Sequence, residues 1–253
     1  NGLLELQLQD NRMDLENTDV QNALNQISGN GVFLQISPQD RIVNIADDRL
    51  AKTLRATMGK PVGEEFTLSE LRALDTIEAE NQGITSLDGL EHASNLRALK
   101  LRGNRITDLV PIQENTYLQI LDLSNNPLFE IHILAGLDSL QELHLDATLV
   151  NGLGPLEELT ELQVLSLDNA QVIDLRPLTS LPALKELNLA RNYVNDLTPL
   201  KNLQALKTIH LEGNFLNLNA GSEDKDVLDA WSRRGIHHST GKQETVIAPV
   251  LDV

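Results

Sequence analysis

Leucine recurs every 22 residues through most of this 253-residue chain, and no other feature constrains the fold as strongly. From each of these leucines, apolar residues follow at the fourth, sixth and eleventh places, and asparagine often stands at the ninth. A self-similar period of this length is typical of a solenoid. The leucines that begin the seven repeats are Leu74, Leu96, Leu118, Leu140, Leu162, Leu184 and Leu206.

Each repeat predicts one short strand and one return segment. The L-x-L pattern, as in Leu99 and Leu101, alternates inward and outward, so it predicts a strand that stacks in parallel on its neighbours. The asparagine that follows, such as Asn104, can satisfy backbone groups where the chain turns. The return segments are short and often carry proline, as at Pro155 and Pro177, which favours 3₁₀ or extended structure. The fold class is therefore a right-handed α/β solenoid.

Composition excludes several classes of protein. There is no cysteine, so disulfide scaffolds and thiolate zinc sites are ruled out. The formal net charge of −17 opposes nucleic-acid and anionic-membrane partners. No apolar run approaches a length of about 20 residues, which a membrane-spanning helix needs. No phosphate loop, metalloprotease motif or nucleophile elbow occurs, so we expect neither enzymatic activity nor a cofactor.

Helices are predicted on both sides of the repeats. Leu50, Leu54 and Met58 form one apolar helical face, with Asp47 or Asp48 as the N-cap. A capping box at Thr67 and Glu70 precedes the first repeat. After the last repeat, a helix from about Ser222 to Ser232 and a short extended tail are expected to close the other end.

The 22-residue pattern resembles the leucine-rich repeat of bacterial internalin-like surface proteins, and it is also similar to eukaryotic phosphatase-regulatory leucine-rich proteins. The helical segment before the first repeat is similar to the N-terminal cap of the bacterial domains. This resemblance implies a non-enzymatic interaction module that is secreted or held at a bacterial cell surface. The expected segments are the end of a preceding module (1–39), the N-terminal cap (40–73), seven repeats (74–218) and the C-terminal cap with the start of a linker (219–253).

Residues 3–39 repeat the plan of residues 206–243. Leu3 corresponds to Leu206 with an offset of 203, and Leu24 to Leu228 and Gly31 to Gly235 with an offset of 204. The sequence starts at Asn1 and shows no signal peptide, so we expect a mature fragment. The repeated plan indicates that the natural protein is a longer tandem array. Residues 1–39 then either lack their upstream partner or stack on a neighbouring chain, which would allow self-association.

Outward strand positions carry the candidate binding residues. Over the first strands the charges alternate in sign, as in Glu78, Lys100 and Asp122, so that part of the face neutralises itself. Farther along, carboxylates gather with no lysine or arginine at these positions, and the asparagine of the turn is replaced by Thr148 and Ala170. The predicted partner-binding residues are Ile120, Asp122, Glu142, His144, Asp146, Val164, Asp168 and Glu186.

Three interpretations of this acidic region remain open: solvated surface charge, a docking face for a basic protein partner, and a calcium site at Glu142, Asp146 and Asp168. Calcium is disfavoured because it needs six or more oxygen ligands, which flat strands rarely bring together. A sugar site on the face is disfavoured because no outward strand position carries an aromatic residue. The remaining alternatives for the whole chain are a structural module of a stalk, layer or filament, and an intracellular scaffold similar to the phosphatase regulators.

Two phenylalanines off the strand positions are assigned to the interior. Phe129 and Phe215 lie in the segments that follow the strands. In the family that the pattern resembles, such residues fill the core or the spine, so the resemblance implies an interior position for both.

Overall fold

A computed structural model of the chain describes residues 5–7, 18–29, 33–35, 41–150 and 152–244. The first part contains strand β1 (Glu5–Gln7), helix α1 (Thr18–Gly29) and strand β2 (Phe33–Gln35). β1 and β2 pair in parallel as a sheet of their own. Thr18 and Gln21, the predicted capping-box residues, lie within the first turn of α1, and the predicted tail beyond Gln35 lies outside the described residues.

The N-terminal cap consists of strand β3 (Ile42–Val43), helix α2 (Asp48–Met58), strand β4 (Phe66–Thr67) and helix α3 (Leu68–Arg72). Asp47 is the N-cap of α2, Gly59 ends that helix in the left-handed region at φ 65°, and the capping box of Thr67 and Glu70 is present. Both helix starts are therefore confirmed as predicted. The sequence analysis did not predict the antiparallel pairing of β3 with β4, which holds the two ends of this cap together.

Eight parallel strands form the main sheet, in the order in which they occur along the chain. Seven come from the repeats and the eighth follows the C-terminal helix α4 (Glu223–Arg233). Their inward leucines, such as Leu143, are fully buried, which confirms the predicted alternation. The strands are β5 (Thr76–Glu78), β6 (Ala98–Lys100), β7 (Ile120–Asp122), β8 (Glu142–His144), β9 (Val164–Ser166), β10 (Glu186–Asn188), β11 (Thr208–His210) and β12 (His237–Ser239).

The return segments are 3₁₀ turns, as their length and prolines predicted. Proline occupies the first turn of several of them, where its missing N–H leaves no intrahelical bond unmade. Each turn buries one apolar side chain against the back of the sheet. The turns are Leu90–His92, Val110–Ile112, His132–Gly136, Gly154–Leu156, Arg176–Ser180 and Thr198–Asn202.

Buried asparagines connect successive repeats through the backbone. The Asn192 Nδ2 donates to the carbonyls of Leu189 (2.9 Å) and Leu167 (2.7 Å), and its Oδ1 accepts from the N–H of Val172 (2.9 Å). Asn104, Asn126 and Asn214 make equivalent bonds. The predicted role of this asparagine is confirmed. At the interrupted positions, Thr148 Oγ1 donates only to Leu145, and Ala170 has no polar side chain to contribute.

The C-terminal cap confirms the predicted helix and tail. Ser222 is the N-cap of α4, whose Trp231 is fully buried, and β12 adds to the sheet beside β11. Asp224 is also buried, and its carboxylate accepts the N–H groups of Leu197 and Asn217, both at 2.9 Å. No helix among the described residues is both long and apolar enough to cross a bilayer.

Candidate functional site

The eight predicted binding residues lie together on the exposed face of β7 to β10 and the turns that follow. The strand register places Ile120, Glu142, Val164 and Glu186 side by side across four strands. Asp122 and His144 form the next row, and Asp146 and Asp168 form a third row just beyond the strands. We call these eight residues the central concave surface.

The carboxylate of Asp146 is held by its neighbours in the next repeat. Its Oδ1 accepts hydrogen bonds from Ser166 Oγ at 2.5 Å and from the backbone N–H of Asp168 at 2.8 Å. These charge-assisted hydrogen bonds to the Asp146 carboxylate fix the position of the turn that follows β9. Asp146 is therefore both a surface charge and a structural group.

The prediction that carboxylates here have no basic partner is wrong for Asp168. Its Oδ2 is bound by the guanidinium of Arg191, which reaches back from the turn after β10. Arg191 lies in the left-handed region at φ 56°, so its side chain leaves the turn in a direction that strand alternation does not predict. Partial burial raises the pKa of Asp168 above its usual range; Arg191 opposes that effect and the negative charge of Asp146 adds to it.

The left-handed position recurs once in every repeat, and two of its occupants are unusual. Five repeats place asparagine or glycine there, which tolerate positive φ, whereas the central repeats place Ala147 and Arg191. Both lie beside the third row of the central concave surface. The seven positions are Asn81, Gly103, Asn125, Ala147, Asn169, Arg191 and Gly213.

The remaining carboxylates of the surface differ in how freely they can meet a partner. Glu142 Oε1 lies 2.7 Å from His144 Nε2. Asp122 Oδ1 accepts the N–H of Ser124 at 2.9 Å. Glu186 is exposed, and none of the residues that the structure describes forms an ion pair or hydrogen bond with its carboxylate. Glu186 is thus the carboxylate most available to a binding partner.

The middle of the face is shaped as two shallow depressions. One, of about 190 Å³, is lined by His144, Val164, Ser166, Glu186, Asn188 and His210, among others. A second, of about 370 Å³, adjoins it and is lined by Asp168, Arg191, His210 and Glu212, among others. The predicted binding residues did not include Ser166, Asn188, His210, Arg191 and Glu212. The first three share the row of Asp122 and His144, so that row offered a usable signal.

The exposed aromatic residues lie off the strands, and the prediction that Phe129 fills the core is wrong. Phe129 is 65% exposed, because Leu128 before it and Ile131 after it take the inward places of that turn. Phe215 is half-buried and stacks on the exposed ring of Tyr193, with ring centroids 5.9 Å apart. Within the described part of the chain, no three His, Asp or Glu side chains come together as a metal site.

Comparisons with known proteins identify the repeat and find structurally similar modules. A model of the family described as Leucine Rich repeats (2 copies) matches residues 160–202. An internalin (inlF) from Listeria monocytogenes is 28% identical with a TM-score of 0.71, over 80% of this chain and 58% of that one. An internalin C2 (inlC2) from the same species is 33% identical with a TM-score of 0.70, over 79% of this chain and 87% of that one.

A leucine-rich repeat protein from Leptospira interrogans shares the fold at 20% identity, with a TM-score of 0.57 over 72% of this chain and 58% of that one. Stacked strands, bridging asparagines and two caps define a leucine-rich repeat protein. The chain belongs to the bacterial internalin family. This fold supports a protein-interaction module, and its relatives are typically non-enzymatic. The chain spans 58% of the inlF structure.

Proposed function

We propose that this chain is a non-enzymatic interaction module of a secreted or surface-exposed bacterial protein, and that its central concave surface binds a basic protein partner. The observation that carries the proposal is the row across β8, β9 and β10, where Val164 lies between Glu142 and Glu186. An apolar side chain flanked by two carboxylates complements a partner segment in which an apolar residue is flanked by lysine or arginine.

The rigidity of the sheet supports this use. Strands β7 to β10 are each paired on both sides and their inward leucines are buried, so the surface is ordered before any partner arrives. A preorganised surface loses little conformational entropy on binding. The charges add mainly to the association rate and to the choice of partner, because both depend on electrostatic complementarity.

Charge reversal of the two flanking carboxylates tests the proposal. The probe is a fluorescently labelled peptide of lysine residues with one leucine at its centre. We expect the double variant Glu142→Lys and Glu186→Lys to bind this peptide about tenfold more weakly or worse, because two electrostatic attractions become repulsions. Fluorescence anisotropy measures the affinity. Higher ionic strength should weaken binding to the unchanged chain. Asp146 and Asp168 are poor choices for reversal, because both are part of the turn structure.

A matched control separates this site from general attraction to an acidic protein. Glu157→Lys combined with Glu158→Lys makes the same change in net charge on exposed residues that follow a 3₁₀ turn behind the sheet. Its affinity for the peptide should stay close to that of the unchanged chain. Equal losses in the two double variants, or no loss in either, would refute a specific concave site.

A second candidate function, a structural module of a tandem array, rests on the first described elements. β1, α1 and β2 follow the same strand–helix–strand plan as β11, α4 and β12, with a parallel pair in each. The register pair Glu5 and Phe33 precedes Thr208 and His237 by 203 and 204 residues. We propose that 1–39 is the end of a preceding module, 40–73 the N-terminal cap, 74–218 the repeats, and 219–253 the C-terminal cap with the start of a linker.

Sedimentation distinguishes the two functions. If the modules build a stalk or filament end to end, residues 1–253 should associate in a concentration-dependent way that is lost in residues 40–253. The shorter chain retains both caps and the whole sheet. Identical monomeric sedimentation of the two chains would argue against self-assembly and leave the interaction module as the proposal.

A further inference from the structure

A depression of about 360 Å³ lies at the edge of the sheet where β5, β6 and β7 begin. It is separate from the central concave surface, and none of the functions above uses it. Its volume is at the lower end of the range for small-molecule sites. The residues that line it are Arg72, Ala73, Leu74, Asp75, Asn95, Arg97 and Tyr117.

The polar groups of this depression come from the N-terminal cap and the first two repeats. Asn95 Nδ2 donates to the carbonyl of Arg72 at 2.8 Å, which fixes the amide and leaves its Oδ1 as an acceptor. Arg97 Nε lies 3.3 Å from Asp75 Oδ1, and this pair is well exposed to solvent. The two Nη groups of Arg97 therefore remain as donors, and Asp75 Oδ2, which accepts from the Thr76 hydroxyl at 3.3 Å, has a second lone pair for a further hydrogen bond.

Two guanidinium groups make the depression locally positive. Arg72 is exposed, and none of the described residues forms an ion pair with its side chain. Arg72 and Arg97 together outnumber the single carboxylate of Asp75. In a chain of net charge −17, this local excess of positive charge selects for an anionic group and against the basic partner proposed for the concave surface.

Tyr117 adds an apolar ring beside these charges. Its side chain is 63% exposed, so the ring is not part of the core. The equivalent positions of the two preceding segments carry the smaller Ala73 and Asn95, which leaves the depression open in front of the ring. An exposed aromatic face next to fixed polar groups is a stacking surface for a ring that carries hydroxyl groups on its edge.

We propose that this depression binds an acidic sugar, with the sugar ring against Tyr117 and its carboxylate on Arg97 and Arg72. Guanidinium and carboxylate groups match as pairs of parallel hydrogen bonds, which fixes the orientation of the ring. Asp75 and the Asn95 Oδ1 then accept hydrogen bonds from sugar hydroxyls. The concave face lacks an outward aromatic residue, so the sheet edge is where this chain combines an aromatic ring with convergent polar groups.

Titration of residues 1–253 with glucuronic acid, with N-acetylneuraminic acid and with neutral glucose tests the site. Binding is measured from the changes in amide chemical shifts in NMR spectra. Both acids carry a carboxylate on a sugar ring, and comparing them identifies which source of acidic sugar fits better. We expect saturable shifts at residues 72–75, 95–97 and 117 with at least one acid. Glucose should bind about tenfold more weakly or worse, because it cannot pair with the guanidinium groups.

Three variants assign the binding to these side chains. Tyr117→Ala and Arg97→Gln should each weaken binding of the acid by about tenfold, since one removes the stacking ring and the other a charged donor. Tyr193→Ala, which removes another half-exposed ring, should leave the affinity unchanged. All three residues are on the surface, and an unchanged Tm confirms that each variant is folded.

Several results would overturn the proposal: no saturable shift with either acid, equal affinity for glucose, or undiminished binding by the Tyr117→Ala chain. Inorganic phosphate that displaces the acid and binds equally well to the unchanged and Tyr117→Ala chains would define a plain anion site instead. None of these outcomes bears on the concave surface, which is tested with a different probe and different variants.

Discussion

Replacing Leu143 with alanine is expected to lower the free energy of unfolding by about 2–5 kcal/mol. Leu143 is fully buried in β8, near the middle of the sheet, and in register it lies between Leu121 and Leu165. Truncation removes packed methyl groups and leaves a cavity that paired strands on both sides cannot readily close. Denaturation by urea, followed by circular dichroism, measures the loss.

The damage from Leu143→Ala should be local, because each repeat contacts only its neighbours. Hydrogen exchange should show the largest loss of protection in β7, β8 and β9, and smaller losses in β5 and β11. Gln141→Ala is the matched control, since Gln141 is exposed just before the same strand, and it should change stability by no more than about 0.5 kcal/mol. A uniform loss of protection over all seven repeats would contradict nearest-neighbour coupling.

Replacing Asp47 with alanine is expected to cost about 3 kcal/mol of stability and to detach the N-terminal cap from the first repeat. Asp47 Oδ1 accepts the N–H groups of Arg49 (2.8 Å) and Leu50 (3.1 Å) at the start of α2. Its Oδ2 accepts the N–H and hydroxyl of Thr85, at 2.8 and 2.9 Å, and the N–H of Ser86 at 3.3 Å. One carboxylate thus caps a helix and joins it to the solenoid.

The effect of Asp47→Ala should depend on pH. Burial disfavours the charged form of Asp47, but the hydrogen bonds from Thr85, Leu50 and Ser86 outweigh it and lower the pKa to about 2, from an ordinary 3.8. A lowered pKa means that the stabilisation is complete above the ordinary value and is lost as the pH falls through the folded value. Linkage assigns about 2 kcal/mol to this ionisation.

Urea denaturation of both chains over a range of pH tests this assignment. The stability difference between the unchanged chain and the Asp47→Ala chain should be constant near neutral pH and shrink as the pH falls from about 4 to about 2. Asp48→Ala is the matched control, because Asp48 is exposed in the first turn of the same helix and should cost only a few tenths of a kcal/mol. A pH-independent difference would show that the charge of Asp47 is not what stabilises the cap.

Much of the architecture could be predicted because it depends on local periodicity. The 22-residue spacing and the alternation around residues such as Leu99 and Leu101 determine which side chains point inward and which rows they form. Helix ends could be located because caps have local signals, as at Thr67 and Glu70. The assignment of Phe129 to the core was wrong, because in a turn there is no fixed alternation to follow.

The surface charges show where local pattern stops being informative. The repeat pattern predicts that Asp146 and Asp168 lie side by side, as they do in the structure, but it does not predict the partner of Asp168. Arg191 is 23 residues away and reaches Asp168 from a left-handed turn. The direction in which a side chain points from a residue at positive φ depends on the conformation of the turn and on the stacking of the repeats. Neither is encoded in the spacing of residues along a strand.

The sequence by itself determined the solenoid, the inward leucines, the bridging asparagines and the rows of the exposed face, because a strict repeat turns sequence position directly into spatial position. Only the tertiary structure decided which of those surface charges are paired and that the side chains of Arg72, Asn95 and Tyr117 leave a depression open between them at one edge of the sheet. The repeat places Asn95 and Tyr117 in neighbouring turns of the solenoid. The direction in which each side chain leaves its turn depends on turn conformation and on the packing of the cap, for which the chain carries no local signal.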